Sequence, residues 1–290
     1  SLVQKLSNGI SHVTEPGLDE AFRRARDEGR LTFSGTLSPS DAYCIAVPTP
    51  FVVEDGRPKA DLSCVASAAR QIAPVLAPGN LVILESTVPP KTTRWLEGLL
   101  SELSGLTPEE FHVAHCPERV LPGQMLRELK NNDRIIGARS EKAAELASGI
   151  YSRVLAGGRI HLTDDLTAEM CKLTENTFRD VNIAYANELS IICERLGIDV
   201  FELIRLANCH PRVNILSPGV GVGGHCIAVD PWFIYEQFPE EARLIEAARR
   251  RNDAKPLFVA DCVERGVGFS KQAVIAVLGL SYKADVDDLR

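Results

Sequence analysis

One cysteine is set for covalent chemistry. Cys226 follows Gly219-Val220-Gly221-Val222-Gly223-Gly224-His225 and stands four residues before Asp230-Pro231. Glycines let a backbone approach a ligand closely, and Pro231 suits the first turn of a following helix. A thiol near a helix N-terminus is biased towards thiolate, the nucleophilic form. Asp230 is placed to orient a water or a neighbouring cation. The plain alternative is a small buried hydrophobe beside a turn. Lys172 and Asn176 lie one helical turn apart. A lysine in a cleft stabilises a developing alkoxide and an amide holds a water or hydroxyl; a solvated helix face is the ordinary alternative. Glu118, beside Arg119 at a strand end, can serve as a catalytic carboxylate or form a surface salt bridge. Arg212, after His210-Pro211, can grip a phosphate through its fork or simply be solvated. His112, His115 and Cys116 have metal-ligating side chains, but alternation along a strand puts the two histidines on opposite faces, so no metal is expected.

The glycine run is also the chain's only GxGxxG match. That motif holds a dinucleotide only between a buried strand and a helix. Ser217-Pro218 before it, with Cys226 and Pro231 after it, favour a loop that presents the thiol.

These residues need a scaffold, and the first half of the chain supplies apolar strands alternating with amphipathic helices. Ala42–Val47 reads as a fully buried parallel strand ending at Pro48-Thr49-Pro50. Leu81–Leu84 ends in Glu85-Ser86-Thr87, and a helix runs on through Leu100. Phe111–His115 ends at Cys116-Pro117-Glu118. Arg134–Gly137 is followed by a helix over Glu141–Leu155. This order marks a doubly wound α/β sheet, whose ligands sit beyond the carboxyl ends of the strands. From Asp164-Asp165 to Gly197 nothing interrupts a helix, a length of about 45 Å. Lys172, Asn176, Arg179, Asn187 and Ser190 share a face expected to be polar. Leu166, Met170, Leu173, Val181, Ala184 and Ile192 share an apolar one. A further helical segment reaches about Lys255-Pro256, and Ala273–Leu278 reads as another buried strand. The expected fold class is therefore α/β: a partial Rossmann-like doubly wound domain, a central all-helical domain with a long helix, and the start of a second α/β domain.

Bulk properties narrow the function. The chain has 290 residues, 45% hydrophobic and 24% charged, with a formal net charge of −7. That is ordinary for a globular protein and argues against nucleic acid or an anionic membrane as the main partner. Apolar runs are too short to span a bilayer, and the N-terminus does not read as a signal peptide. Eight cysteines without a CxxC pair fit neither a zinc site nor a disulfide scaffold. Reduced thiols in a cytoplasmic enzyme are expected.

The stretch Gly223-Gly224-His225-Cys226-Ile227-Ala228-Val229-Asp230-Pro231 resembles the nucleophile loop of the UDP-glucose/GDP-mannose dehydrogenase family. So do Val47-Pro48-Thr49-Pro50, Glu85-Ser86-Thr87, Pro117-Glu118-Arg119, Lys172-Leu173-Thr174-Glu175-Asn176 and Gly279-Leu280-Ser281-Tyr282-Lys283, in the family's order. Within the family, Gly223–Ile234 looks most like the enzymes acting on UDP-N-acetyl-D-mannosamine; UDP-glucose enzymes usually carry a lysine where this chain has Val229.

The resemblance implies NAD-dependent oxidation of a sugar C6 alcohol to a carboxylate, in polysaccharide biosynthesis. Cys226 would form a thiohemiacetal and then a thioester. Lys172, Asp230 and Asn176 would manage charge and protons, and Glu118 and Thr87 the hydrolytic water. Pro48, Thr49, Ser86, Thr87 and Lys283 would line the NAD side. Glu118, Arg119, Val120, Lys172, Asn176, Arg212 and Gly223 would contact the nucleotide sugar. The implied domains are an NAD-binding domain over 1–163, lacking the family's first strand and glycine turn, a central helical dimerisation and substrate domain over 164–256, and the start of a nucleotide-sugar-binding domain over 257–290. The long helix suits a homodimer. UDP-GlcNAc, UDP-glucose or GDP-mannose as substrate stays open, as does a thiol hydrolase based on Cys226 or an inactive binding or dimerisation module.

Overall fold

The computed structural model describes residues 2–11, 13, 15–268 and 270–279. In chain order come α1 (Leu2–Ser7), α2 (Leu18–Asp27), β1 (Ala42–Ile45), the hairpin β2 (Phe51–Glu54) and β3 (Arg57–Ala60), α3 (Ser63–Ile72), β4 (Leu81–Leu84), α4 (Thr92–Ser104), β5 (His112–His115), α5 (Met125–Asn131), β6 (Arg134–Ala138), α6 (Glu141–Tyr151) and β7 (Ile160–Thr163). Then follow α7 (Asp165–Leu196), α8 (Val200–Ala207), α9 (Asp230–Gln237) and α10 (Arg243–Gly266). Two compact units result: residues 1–49 with 61–172, and residues 50–60 with 173–290. Helix α7 begins in the first and continues into the second. Among the described residues no helix is long and apolar enough to cross a membrane.

The first unit is built on one sheet of order β1-β4-β5-β6-β7. Strands β1, β4 and β5 are parallel. Every residue of β4 is buried, because apolar clusters cover both faces. Val82 and Leu84 pack with Val65, Ala69, Leu96 and Leu100 of α3 and α4. Leu81 and Ile83 pack with Ala147 and Tyr151 of α6. Helices on both faces make this the doubly wound α/β layer the strand–helix alternation predicts. The edge strand β1 differs from expectation: Tyr43 and Ile45 are buried in the cluster under α3 and α4, while Cys44 on the other face is exposed. Strand β6 runs antiparallel to β5. The connection between them holds only the short α5, so the chain starts β6 beyond the carboxyl end of β5 and turns straight back. Strand β7 is again parallel to β6.

Helix α7 starts where the acidic pair predicts. Asp164 caps it by accepting from the Thr167 backbone N–H at 2.9 Å and the Thr167 hydroxyl at 2.6 Å. Gly197, at φ 68°, ends it. At 32 residues it is about 48 Å long.

The second unit holds the remainder of α7, α8, α9, α10 and the hairpin. Within this unit β3 packs on α9, and the Ala60 N–H donates to Glu236 Oε2 at 2.9 Å. Asp55 and Gly56 take φ of 51° and 74° at the hairpin's tip, the two-residue turn that matches strand twist. Helix α10 continues through Pro256 to Gly266 rather than ending there. Residues 271–279 form no strand, and Val274 and Leu278 are exposed, against the buried strand expected over Ala273–Leu278. An extended segment stays a strand only if neighbouring backbone pairs with it, and none of the described residues does so.

Candidate active site

At the carboxyl ends of β1 and β4 two loops brace each other. The Ser86 hydroxyl donates to the Val47 carbonyl at 2.7 Å and accepts the Val47 N–H at 2.8 Å. The Thr49 hydroxyl donates to the Thr87 carbonyl at 2.6 Å. Both hydroxyls are thereby used in fixing the loops. Glu85 is tied to the phenol of Tyr151, which donates to its Oε1. Pro48, Thr49, Ser86 and Thr87 thus present backbone and uncharged side chains beyond the parallel strands, with the nearby carboxylate already engaged. That donor set fits a dinucleotide in the usual crevice of a doubly wound sheet.

The β5–β6 register extends past the strand ends and sets Arg134 opposite Glu118. Arg134, itself buried, donates to Glu118 Oε2 at 3.4 Å. Glu118 Oε1 accepts the backbone N–H groups of Arg119 at 2.6 Å and Val120 at 3.0 Å. The carboxylate is therefore folded onto its own loop. The Arg134 guanidinium also lies 4.6 Å from the centre of the Tyr151 ring, a cation–π distance. Burial foremost, with the negative charge of Glu85, pushes the Tyr151 phenol up, so it stays a protonated donor to Glu85. A cavity of about 10 Å³ beside Glu118 has room for no more than one water.

In the second unit, Cys226 sits on a turn feeding α9. Its carbonyl accepts the N–H groups of Val229 at 3.1 Å and Asp230 at 2.8 Å. Pro231 falls in the first turn of α9, and Trp232, Phe233 and Ile234 bury that helix. Asp230 is buried, and its Oδ2 accepts the side-chain amide of Asn176 at 2.5 Å. Cys226 and Gly223 are exposed. Gly224 takes φ of 84°, a conformation that a residue with a side chain would strain. The glycine run follows the loop after α8 rather than a strand, so the context a dinucleotide fingerprint needs is absent.

The NAD-binding domain of the UDP-glucose/GDP-mannose dehydrogenase family matches residues 1–155, and the central domain of the same family matches residues 166–254. The chain belongs to the UDP-glucose/GDP-mannose dehydrogenase family. It is 53% identical over 296 residues to the NDP-N-acetyl-D-galactosaminuronic acid dehydrogenase of Ralstonia nicotianae, covering 99% of this chain and 69% of that protein. It is 50% identical over 299 residues to the UDP-N-acetyl-D-mannosamine dehydrogenase of Campylobacter jejuni, covering 100% of this chain and 72% of that one. The solved UDP-D-ManNAc dehydrogenase of Pyrococcus horikoshii superposes with a TM-score of 0.93 at 45% identity, over 99% of this chain and 70% of that chain. Membership makes this an NAD-dependent nucleotide-sugar dehydrogenase.

Within this dehydrogenase the first unit gathers Pro48, Thr49, Ser86 and Thr87 at one pair of strand ends, and Glu118, Arg119 and Val120 on the loop after β5. Lys172 is half-buried on α7, one turn before Asn176. The second unit joins Asn176 to Asp230 and Cys226. Arg212 lies exposed in the loop after α8, its N–H donating to His210 Nδ1 at 3.3 Å. Asn208 braces that loop through both backbone groups of Ile215. Lys283 lies outside the described residues. Two expectations for α7 need correction. Asn187, placed on the polar cleft face, is fully buried, and Ile192, placed on the core face, is 46% exposed. Asn187 is drawn inward by α10, whose Asn252 accepts its side-chain amide. Sequence reasoning missed Arg134, Tyr151 and Asn252, because their partners are remote in sequence and no local spacing marks them. His115 is buried with neither ring nitrogen hydrogen-bonded to a described residue.

Proposed function

We propose that this dehydrogenase oxidises the C6 alcohol of a UDP-N-acetylhexosamine to the uronate, with UDP-N-acetyl-D-mannosamine as the favoured substrate. The observation that carries the reading is the buried Asn176–Asp230 bond, which anchors the turn bearing Cys226 on α7. The relatives named above act, by their names, on N-acetylated sugars or their uronates, which supports the N-acetyl class. When bound, NAD supplies the hydride acceptor for both oxidation steps.

The side chains take these roles. Lys172 and Asp230 hold charge and relay the C6 hydroxyl proton through a water. Asn176 assists Lys172 in stabilising the oxyanion. Cys226 Sγ adds to the aldehyde carbon, giving a thiohemiacetal, and stays bonded through the thioester stage. Covalent capture retains the reactive aldehyde between the two oxidations. Glu118 and Thr87 position the water that releases the uronate and restores the thiol. Arg119, Val120 and Gly223 contact the sugar nucleotide, Arg212 its diphosphate, and Lys283 the NAD side.

The domain division proposed is NAD binding over 1–163, substrate binding and dimerisation over 164–256, and the start of a nucleotide-binding domain over 257–290. The enzyme works as a cytoplasmic homodimer in polysaccharide biosynthesis. Phe178, Tyr185 and Ile192, seven residues apart and exposed on α7, supply an apolar stripe suited to a helix pair. No disulfide joins the eight cysteines among the described residues, which suits a reducing compartment.

The test is NADH formed per sugar consumed, across UDP-N-acetylmannosamine, UDP-GlcNAc, UDP-glucose and GDP-mannose. About two NADH per UDP-N-acetylmannosamine is expected. Cys226→Ser should yield at most one per active site, and normal two-step turnover by that variant would remove Cys226 from the mechanism.

A further inference from the structure

The glycine loop that carries Cys226 is held at its base by a buried polar chain. The Gly219 N–H donates to Asn187 Oδ1 at 2.9 Å. The Asn187 amide N–H donates to Asn252 Oδ1 at 2.9 Å. Asn252 in turn donates to Asp180 Oδ1 at 2.8 Å and to the Asp180 carbonyl at 3.0 Å. Arg249 closes the chain on Asp180 Oδ1 at 2.5 Å. The donors run in one direction, from the loop into the ion pair. Asp180, Asn187, Arg249 and Asn252 are all at most 1% exposed, so the bonds among them are made away from competing water, while the Gly219 bond at the loop is part-buried.

Two features direct this network at the loop rather than at helix packing alone. The Gly219 N–H bond falls at the first residue of Gly219–Gly224, where the glycine loop leaves Pro218. Further on, a Cβ on Gly221 would come within 3.0 Å of Pro256 Cγ and 3.7 Å of the Asn252 carbonyl. Asn252 and Pro256 lie one turn apart on α10, so the same stretch of helix meets the loop at both places.

We propose that Asn187 is a positioning residue for the Cys226 thiol: it clamps the base of the glycine loop to the buried Asp180–Arg249–Asn252 cluster and so sets where Sγ stands. The proposal rests on the reading of Cys226 as nucleophile. A free backbone N–H at Gly219 would let the loop swing about Gly221, and the thiol would sample positions from which it cannot reach the aldehyde carbon.

The experiment compares Asn187→Ala with Ile204→Ala, which empties a buried apolar site on α8. Steady-state turnover and amide hydrogen exchange are measured on both. For Asn187→Ala, kcat should fall about tenfold or more, the KM for NAD should stay within about twofold, and the Gly219–Gly224 amides should exchange at least about tenfold faster. Ile204→Ala should lose comparable thermal stability and keep kcat. Should Asn187→Ala not fold, Asn187→Asp takes its place: its carboxyl accepts from Gly219, and protonation restores the donor to Asn252, so its kcat should recover as pH falls. Unchanged kcat in Asn187→Ala, loop exchange unchanged, a loss matched by Ile204→Ala, or a pH-independent Asn187→Asp would each overturn the proposal. Cys226→Ser run in parallel separates the failures. If it stalls after one NADH while Asn187→Ala turns over normally, only the clamp is wrong. If it completes both steps, the nucleophile reading falls and the clamp with it.

Discussion

Asn176 donates its side-chain amide to Asp230 across 2.5 Å of buried space, joining the middle of α7 to the first residue of α9. Removing the donor takes one buried hydrogen bond from the Asp230 carboxylate, at a cost of about 1–3 kcal/mol. Asn176→Ala should lower the melting temperature by several degrees and kcat by about ten- to a hundredfold. Thermal melts and NADH production on the same preparation check both. Unchanged kcat would take Asn176 out of the oxyanion role.

His115 links stability to pH. Burial holds its imidazole down at about 4, against an ordinary 6.5. The unfolded chain therefore binds a proton there before the folded one does. The contribution is full above pH 6.5 and is lost as pH falls from 6.5 towards 4, by a few kcal/mol at most. His115→Gln should flatten the melting-temperature profile across that window. An equally steep profile in the variant would assign the acid sensitivity to other groups.

Gly137 has no room for a side chain. A Cβ there would lie 2.4 Å from Ala168 Cβ and 2.7 Å from the Asp164 carbonyl. Gly137→Ala must push β6 away from the start of α7, at about 1–3 kcal/mol or more. Denaturant unfolding should show a lower midpoint. A wild-type midpoint would mean that this packing yields more freely than its geometry implies.

The apolar stripe on α7 gives the oligomer prediction. Tyr185 is 54% exposed, and Tyr185→Glu puts a charge at its centre. Light scattering coupled to gel filtration should find the wild type dimeric and the variant shifted to monomer at micromolar concentration. A dimeric variant would locate the interface elsewhere.

Much of the architecture could be read from local pattern. Continuous apolar runs marked β4 to the residue, and Asp164, Asp165 and Gly197 bounded α7 within one position, because strand burial and helix capping are local properties. The Asp55-Gly56 pair is an equally local hairpin signal, but the flanking Val53-Glu54 and Arg57-Pro58 lack the alternation that marks paired strands. Proline misled at residue 256, where the surrounding packing carries α10 through a residue that usually ends a helix.

For the site, the sequence by itself determined the chemical inventory: a cysteine among glycines, an aspartate and proline to start the next helix, and small polar residues at strand ends. Residue type and short spacing suffice for that. Only the tertiary structure decided the partners. Arg134 meets Glu118 because β6 turns back on β5, and Asn187 leaves the expected cleft face because α10 brings Asn252 against it. Hydrogen bonds between residues tens of positions apart depend on strand direction and helix packing, and neither leaves a periodic trace in the chain.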